Sequence, residues 1–348
     1  SAQPLPQSRV ERAQGSEPRA EAPVTALERD LSRARERFQR GMAAVDEEEY
    51  NAALEFFEDV VEDHPTSPLA AEAHLQRGLI FSERHQFEKA QEEFVSILAR
   101  YPEYANFNRV IDELYGMGQR IVDGERPRYF GVIPGFKNQQ VGVDIFLSVV
   151  RFAPFSDFAP QSLMDAAALY ERMNEPEMAI GALDRLVNRY PQSVLSEEAY
   201  LELAQLHRDF VQGPDYDQAA TREAIRYYED FLILYPRSAR ASDAEGGLET
   251  MRNTLARNKF LLGEFYWFYR NLDEAALVFL NESITIAPDS PTAADAEALI
   301  ARIESGEEPP KTPADVVFGR YQHPRQFILE RPDDSENDAA TGDSDAGN

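Results

Sequence analysis

Through the middle of the chain, apolar residues return every three or four positions, and the pattern is broken at intervals by proline. The breaks read "DHPTSPLAAEA", "RYPEYANF", "FAPFSDFAPQS", "RYPQSVLSEEA", "LYPRSARASDA" and "IAPDSPTAADA". Each sets a proline after a helical run and small residues at the start of the next. Pro65, Pro102, Pro154, Pro191, Pro236 and Pro288 are spaced by 37, 52, 37, 45 and 52 residues. A period somewhat above 34, lengthened by insertions, predicts stacked supersecondary units. The helical spacing and the absence of alternating strands predict that the units are helix pairs.

The spacing inside each unit specifies the kind of pair. Repeat one has Gly41, Ala53, Phe57 and Pro65, at offsets 12, 16 and 24 from the glycine. Repeat two has Gly78, Phe81, Ala90, Phe94 and Pro102, at 3, 12, 16 and 24. Repeat four repeats those offsets with Ala167, Tyr170, Ala179, Leu183 and Pro191. A small residue on the first helix lets the second approach, an alanine answers it, and the aromatic plugs the gap. Proline then ends the second helix, because it lacks an N–H and clashes with the preceding turn. These offsets resemble the tetratricopeptide repeat, which implies an all-α superhelical solenoid of about six helix pairs. Repeat five keeps Ala224, Tyr228 and Pro236 but inserts "VQGPDYDQ"; repeat six keeps Gly263, Tyr266, Ala275 and Phe279 with one extra residue before Pro288. Repeat three is degenerate, with Phe146 and Pro154 in register. Ser67–Pro68 and Ser290–Pro291 mark helix starts, a capping hydroxyl followed by proline at the first helical position.

The flanks differ from the middle. Residues 1–23 hold four prolines among polar residues and predict a disordered leader or tether; residues 24–305 are the repeat domain; residues 306–348 predict an acidic disordered tail. Within the repeats, residues 125–143 break the helical period with Pro127, Gly131, Pro134 and Gly135, yet carry Tyr129, Phe130, Ile133 and Phe136. Insertions in repeat arrays map to loops that often bind. Those four apolar residues are candidate contact residues, unless the loop folds back to cap repeat three.

Charge and composition narrow the chemistry. A net charge of −27 argues against a nucleic-acid partner, since phosphates would be repelled. With no cysteine, disulfides, thiolate catalysis and cysteine-ligated metals are excluded for this sequence. No apolar run reaches about 18 residues, the length of a membrane-spanning helix. The histidines His64, His74, His85, His207 and His323 show no metal-binding spacing, and His64 precedes a repeat-ending proline at a helix C-terminus. Asp215 and Asp217 lack the glycine and terminal glutamate of a calcium loop. The expectation is a non-enzymatic binding protein with no cofactor and no metal.

The last repeats carry a more specific likeness. "DQAATREAIRYYEDFLILYPRSARASDA" and, after a short helix, "LARNKFLLGEFYWFYRNLDEAALVF" resemble the C-terminal repeats of the BamD-type outer-membrane assembly lipoproteins. The matching positions are Asp217, Gln218, Thr221, Ala224, Phe231, Tyr235, Pro236 and Ser238, then Leu255, Ala256, Phe260, Gly263, Phe265 and Tyr266. The sequence departs from that pattern at Lys259, Arg240 and Thr254. The resemblance spans roughly residues 33–302, and only its C-terminal third is specific. It implies a scaffold on the periplasmic side of the bacterial outer membrane, held by a lipidated cysteine ahead of Ser1. It also implies docking to the POTRA region of the barrel-forming subunit and capture of unfolded outer-membrane proteins. The alternatives are a soluble periplasmic adaptor of the Tol–Pal or cell-division type, and a carrier of a peptidoglycan- or polysaccharide-modifying activity. The last would need clustered carboxylates in a groove, which the sequence does not show.

In this repeat type, positions 5 and 9 of the first helix line the concave face. They are Phe38 and Met42 in repeat one, Leu75 and Leu79 in repeat two, candidates for an apolar peptide groove. The alternative is that they pack on the leader or on a neighbouring helix. For partner docking the candidates are Arg252, Arg257 and Arg270 with Trp267 and Phe268. The last two sit in "LARNKFLLGEFYWFYRN", where Phe260, Phe265 and Tyr266 are expected to be core.

Overall fold

The computed structural model describes residues 26–310 apart from 127, 130–132, 135–137 and 217, together with Val316. The expected leader and nearly all of the expected tail lie outside the described residues. Two compact units divide at Ala159–Pro160. The first holds three helical hairpins: α1 (Ala26–Asp46) with α2 (Tyr50–Asp63), α3 (Pro68–Glu83) with α4 (Phe87–Arg100), and α5 (Phe107–Val122) with α6 (Gln139–Phe152). Two-residue strands β1 (Arg128–Tyr129) and β2 (Ile133–Pro134) pair antiparallel between α5 and α6. The second unit holds α7 (Phe158–Arg172) with α8 (Pro176–Arg189), α9 (Ser196–Asp209) with α10 (Ala219–Leu234), and α11 (Ala241–Phe268) with α12 (Asp273–Ile286). A last helix, α13 (Pro291–Glu304), follows α12. The fold is the all-α tetratricopeptide arrangement that the spacing predicts, six hairpins and a closing helix among the described residues.

Close approach of the helices rests on glycine. A Cβ on Gly41 would sit 2.7 Å from the Phe57 ring, and one on Gly78 only 2.4 Å from Phe94. Phe57 and Phe94 are completely buried. Each contributes roughly 1.5–3 kcal/mol by transfer from water. Repeat three is not degenerate at this contact: a Cβ on Gly118 would lie 2.6 Å from Phe146. The pair is 28 residues apart rather than 16 because twelve extra residues separate the two helices, and counting at fixed offsets misses it.

The turns inside the hairpins repeat as well. Glu48, His85, Asn174 and Asn271 each adopt a left-handed backbone, with φ of 59°, 55°, 61° and 52°. In the first three turns the next amide donates to the carbonyl five residues back, as in Gln86 to Phe81 at 2.8 Å. In the fourth, Leu272 donates to Tyr266, six residues back, at 3.0 Å. The extra residue of repeat six therefore sits in this turn, ahead of α12. It moves the partner of Gly263 from Phe279 to Leu280, whose Cγ would be 2.7 Å from an added Cβ.

Other expectations stand or move in detail. Ser67 and Ser290 cap α3 and α13, accepting from the amides of Leu69 at 3.2 Å and Ala293 at 3.1 Å. His64 is the C-cap residue of α2, with Nδ1 2.6 Å from Asp30 Oδ1. The short helix expected before "LARNKF" is instead continuous with it as the 28-residue α11. That helix is about 42 Å long. Its first half meets α10 through Gly247 against Tyr228, and its second half meets α12 through Gly263.

The glycine contact is testable. Gly78→Ala is expected to cost about 2 kcal/mol, within the range for overpacked cores. The double change Gly78→Ala/Phe94→Leu should recover part of that loss, because it frees the space the methyl needs. Urea unfolding of the three proteins measures both effects.

Candidate protein-interaction site

The expected peptide groove is only partly available. Phe38 and Met42 are half-buried on α1, and Phe38 packs against Phe57 with ring centroids 5.4 Å apart. Leu79 is half-buried on α3. Leu75 is a correction: it is fully buried, in the cluster that α3 and α4 share with Val110, Ile111 and Leu114 of α5. Position 5 of this repeat faces the next helix, so Leu75 lines no groove.

The insertion is anchored at its base to repeat two. Glu125 pairs with Arg120 at 2.8 Å and with His85 at 3.2 Å. The Arg128 amide donates to the His85 carbonyl at 3.0 Å, and the Asn138 side chain donates to Glu88 at 2.9 Å. Helix α6 starts at Gln139, so the irregular stretch ends before residue 143. Tyr129 and Ile133 are cross-strand neighbours. Phe130 and Phe136 lie outside the described residues.

The docking candidates on α11 and its following turn separate into surface and core. Arg252 is exposed and paired with Glu229 at 2.7 Å. Arg257 is half-buried with its guanidinium 4.8 Å from the Phe260 ring centroid. Arg270 is exposed in the turn before α12. Trp267 is a second correction, because its side chain is completely buried among Ala276, Leu280, Leu299 and Ile303. Arg302 of α13 covers its ring at 4.8 Å, and half-buried Phe268 leans on it at 4.6 Å. Trp267 is thus the residue that joins α13 to the last hairpin.

Phe265 is the converse correction. It was expected in the core, but it is 44% exposed and stacks on Tyr269, which is 67% exposed, with centroids 5.9 Å apart. Most positions that carry the family resemblance are buried. Gln218, Thr221, Ala224, Phe231, Leu255, Ala256 and Phe260 are all at or below 9% exposure. Gln218 explains its own place: its side chain donates to the carbonyls of Gly213 and Tyr216 and accepts from Thr221, closing the "VQGPDYDQ" loop. Asp217 lies outside the described residues. Among the described resembling positions only Pro236, a helix stop, and Phe265 are exposed, and core packing does not account for Phe265.

Titratable groups of the second unit gather on two faces. On one, the Tyr227 hydroxyl bonds Asp184, His207 stacks on Tyr227 at 5.4 Å, and Tyr200 lies 6.3 Å from Tyr227. Burial raises the Tyr227 hydroxyl to about 12, and burial lowers His207 below its ordinary value. On the other, Glu202 is pushed up to about 7 by burial and by repulsion from Glu171 and Glu198, which Arg240 partly relieves. Burial also raises Glu171, reinforced by Asp209. Neither face aligns a nucleophile with a base. In the first unit His74 Nδ1 lies 2.6 Å from Glu93, which also meets Arg77 at 2.9 Å, but His74 Nε2 has no hydrogen-bond partner and so holds no hydroxyl for activation. Among the described residues no group of three or more His, Asp or Glu side chains could hold a metal ion, and no helix is long and apolar enough to cross a membrane.

Stacked helical hairpins that bury their repeat glycines define the tetratricopeptide-repeat fold. Residues 143–305 match the family model described as "YfiO: Outer membrane lipoprotein". Over 168 residues the chain is 26% identical to the outer membrane protein assembly factor BamD of Caulobacter vibrioides, covering 48% of this chain and 54% of that protein. The chain thus spans about half the length of the curated relative it matches, and the likeness to BamD-type lipoproteins is shown for the C-terminal half. Among solved structures, a tetratricopeptide repeat protein from Parabacteroides merdae is 14% identical, with a TM-score of 0.28, covering 78% of this chain and 98% of its own. YrrB, described as a TPR protein with an unusual peptide-binding site, is 15% identical with a TM-score of 0.30, covering 70% and 97%.

Two outcomes follow from the site geometry. Trp267→Ala is expected to cost about 3–5 kcal/mol, the range for deleting a large buried aromatic, as read by thermal or urea unfolding. Glu202 has a folded-state pKa above its ordinary 4.5, so its contribution is present below that value and is lost as pH rises through about 7. Glu202→Gln should therefore stabilise the protein by about 1–2 kcal/mol at pH 8, allowing for partial solvent screening. At pH 4 the same change should have no effect, and unfolding curves at both pH values measure the difference.

Proposed function

We propose that the protein is a non-enzymatic scaffold of outer-membrane β-barrel assembly, held on the periplasmic side of the outer membrane by an N-terminal lipid. In this proposal its second unit docks to the POTRA region of the barrel-forming subunit, and its first unit receives segments of unfolded outer-membrane proteins. The match over residues 143–305 supports the family setting. The observation that carries the docking role is Phe265, an aromatic at a resembling position that stays exposed and stacked on Tyr269. Rigid aromatic pairs of this kind are the side chains that dominate protein interfaces. Phe268, Arg252 and Arg270 lie near it in sequence and complete the proposed docking surface, with Arg257 behind them. Phe38, Met42 and Leu79 are the proposed peptide contacts of the first unit, and Tyr129, Phe130, Ile133 and Phe136 the proposed loop contacts.

The test is affinity capture from detergent-solubilised envelopes, followed by titration with the purified POTRA fragment. Capture of the barrel subunit supports the proposal, whereas capture of Pal or TolA without it would favour the cell-division adaptor. Phe265→Ala/Tyr269→Ala is expected to weaken POTRA binding at least about tenfold, the loss of one to two hot-spot side chains. Its melting temperature should stay within about 2 °C of the parent, since both rings are solvent-exposed. Unchanged affinity would remove the aromatic pair from the docking surface.

A further inference from the structure

The outward flank of α12 is an apolar surface without a neighbour among the described residues. Ala276, Leu280 and Ser283 turn inward, while Leu277, Val278, Asn281, Glu282, Thr285 and Ile286 line an open groove of 620 Å³. Val278 is 57% exposed. In two pairs of hairpins the second helix contacts the second helix of the next. Gln91 of α4 donates to Ser148 of α6 at 3.2 Å, and Tyr227 of α10 bonds Asp184 of α8. By that rule α12 should meet the second helix of a seventh repeat, whose first helix is α13.

The sequence beyond α13 offers a start signal and an apolar side for a short helix, which Pro324 would end, leaving residues 325–331 to follow it. In repeat two, α4 begins at Phe87, nineteen residues after Pro68 opens α3. The same interval from Pro291 ends at Pro310, and the chain continues "KTPADVVFGRYQHPRQFILER". Thr312–Pro313 repeats the hydroxyl–proline start seen at Ser67–Pro68 and Ser290–Pro291. Val316, the one described residue of this stretch, is helical. At helical spacing Val317, Phe318 and Tyr321 share one side.

Charge and reach fit as well. Helix α12 has three carboxylates and no basic residue; Glu282 is paired with Lys259 of α11 at 2.5 Å, and Asp273 and Glu274 stand at its N-terminal end. Residues 312–331 carry Arg320, Arg325 and Arg331 against Asp315 and Glu330, a weakly basic stretch in a chain of net charge −27. Because α13 returns alongside α12, the chain leaves near the Asp273 end of α12. The eight residues from Glu304 to Thr312 can span about 27 Å, enough to bring the start of the segment to the Asp273 end of α12.

We propose that residues 312–331 dock on the outward flank of α12, in the place of a seventh repeat's second helix. The segment then covers Leu277, Val278 and Ile286, and any protein that uses this flank must first displace it. A second copy of the chain or a separate protein is the competing occupant.

Residues 1–348 contain no cysteine, which makes the test direct on this sequence. The pair Val278→Cys/Phe318→Cys is compared with Val278→Cys/Ala340→Cys under the same mild oxidation, with disulfides located by mass spectrometry. An undocked tether already favours the 278–318 pair about fourfold, because effective concentration falls as roughly the −3/2 power of tether length. Docking predicts closure of the 278–318 pair roughly fortyfold or more faster than the 278–340 pair, tenfold beyond that tether advantage. Adding Leu277→Asp/Ile286→Asp should bring the ratio down to about fourfold, with helical content by circular dichroism unchanged. A ratio of about fourfold or less in the parent pairs would overturn the proposal. Faster formation of covalent dimers than of the intramolecular bond would overturn it too, and assign the flank to a second copy.

Discussion

The structure depends on one steric constraint, the absence of a side chain where two helices meet. At Gly41, Gly78 and Gly118 the facing phenylalanine occupies the space that a Cβ would need, and at Gly263 Leu280 does so. Where the first helix has Ala167 instead, the facing residue is the smaller Leu183, and both are fully buried. The size lost on one helix is regained on the other, so the volume between them stays filled. The same exchange works between hairpins, where Gly247 of α11 receives Tyr228 of α10. Each such contact fixes both the distance and the rotation of a helix pair, and exposed faces follow from that rotation.

Much of this was legible in the sequence, and the failures share a cause. Proline terminators, serine–proline starts and the sixteen-residue spacing are local signals, and each marks a real boundary or contact. The spacing rule fails where the turn changes length. Twelve extra residues hide the Gly118–Phe146 contact, and one extra residue ahead of α12 moves the partner of Gly263 to Leu280. Composition does not reveal such a slip, because "FYWFY" presents an aromatic at nearly every position. Which ring turns inward is decided by α13, whose Leu299, Ile303 and Arg302 enclose Trp267. Leu75 was misplaced for a related reason: its cover comes from α5, outside its own repeat.

The family resemblance is mostly a record of packing. Gln218 and Thr221 close a loop, Ala224 and Ala256 allow close approach, and Phe231 and Phe260 fill the core. Such positions preserve a fold and say little about a partner. Functional information is concentrated where a resembling residue has no packing reason for its identity, as at Phe265.

Electrostatics sharpen the same distinction. Raised carboxylates and a depressed histidine often mark catalytic sites. Here Glu202 and Glu171 are raised because the hairpins bury carboxylates near other carboxylates, with Arg240 the main relief for Glu202. His207 is lowered by burial against Tyr227. The Tyr227 hydroxyl beside His207 is already committed to Asp184. A protein with net charge −27 bears such repulsion throughout, and partial burial between helices is enough to raise individual groups. The perturbed groups are therefore a consequence of stacking acidic helices: Glu171, Glu202 and His207 lie on α7 and α9, and Glu264, also raised by burial, lies beside Phe265 on α11. In the proposed docking, binding at Phe265 and Tyr269 would rest on shape and apolar contact, with the exposed Arg270 next to Tyr269 adding positive charge.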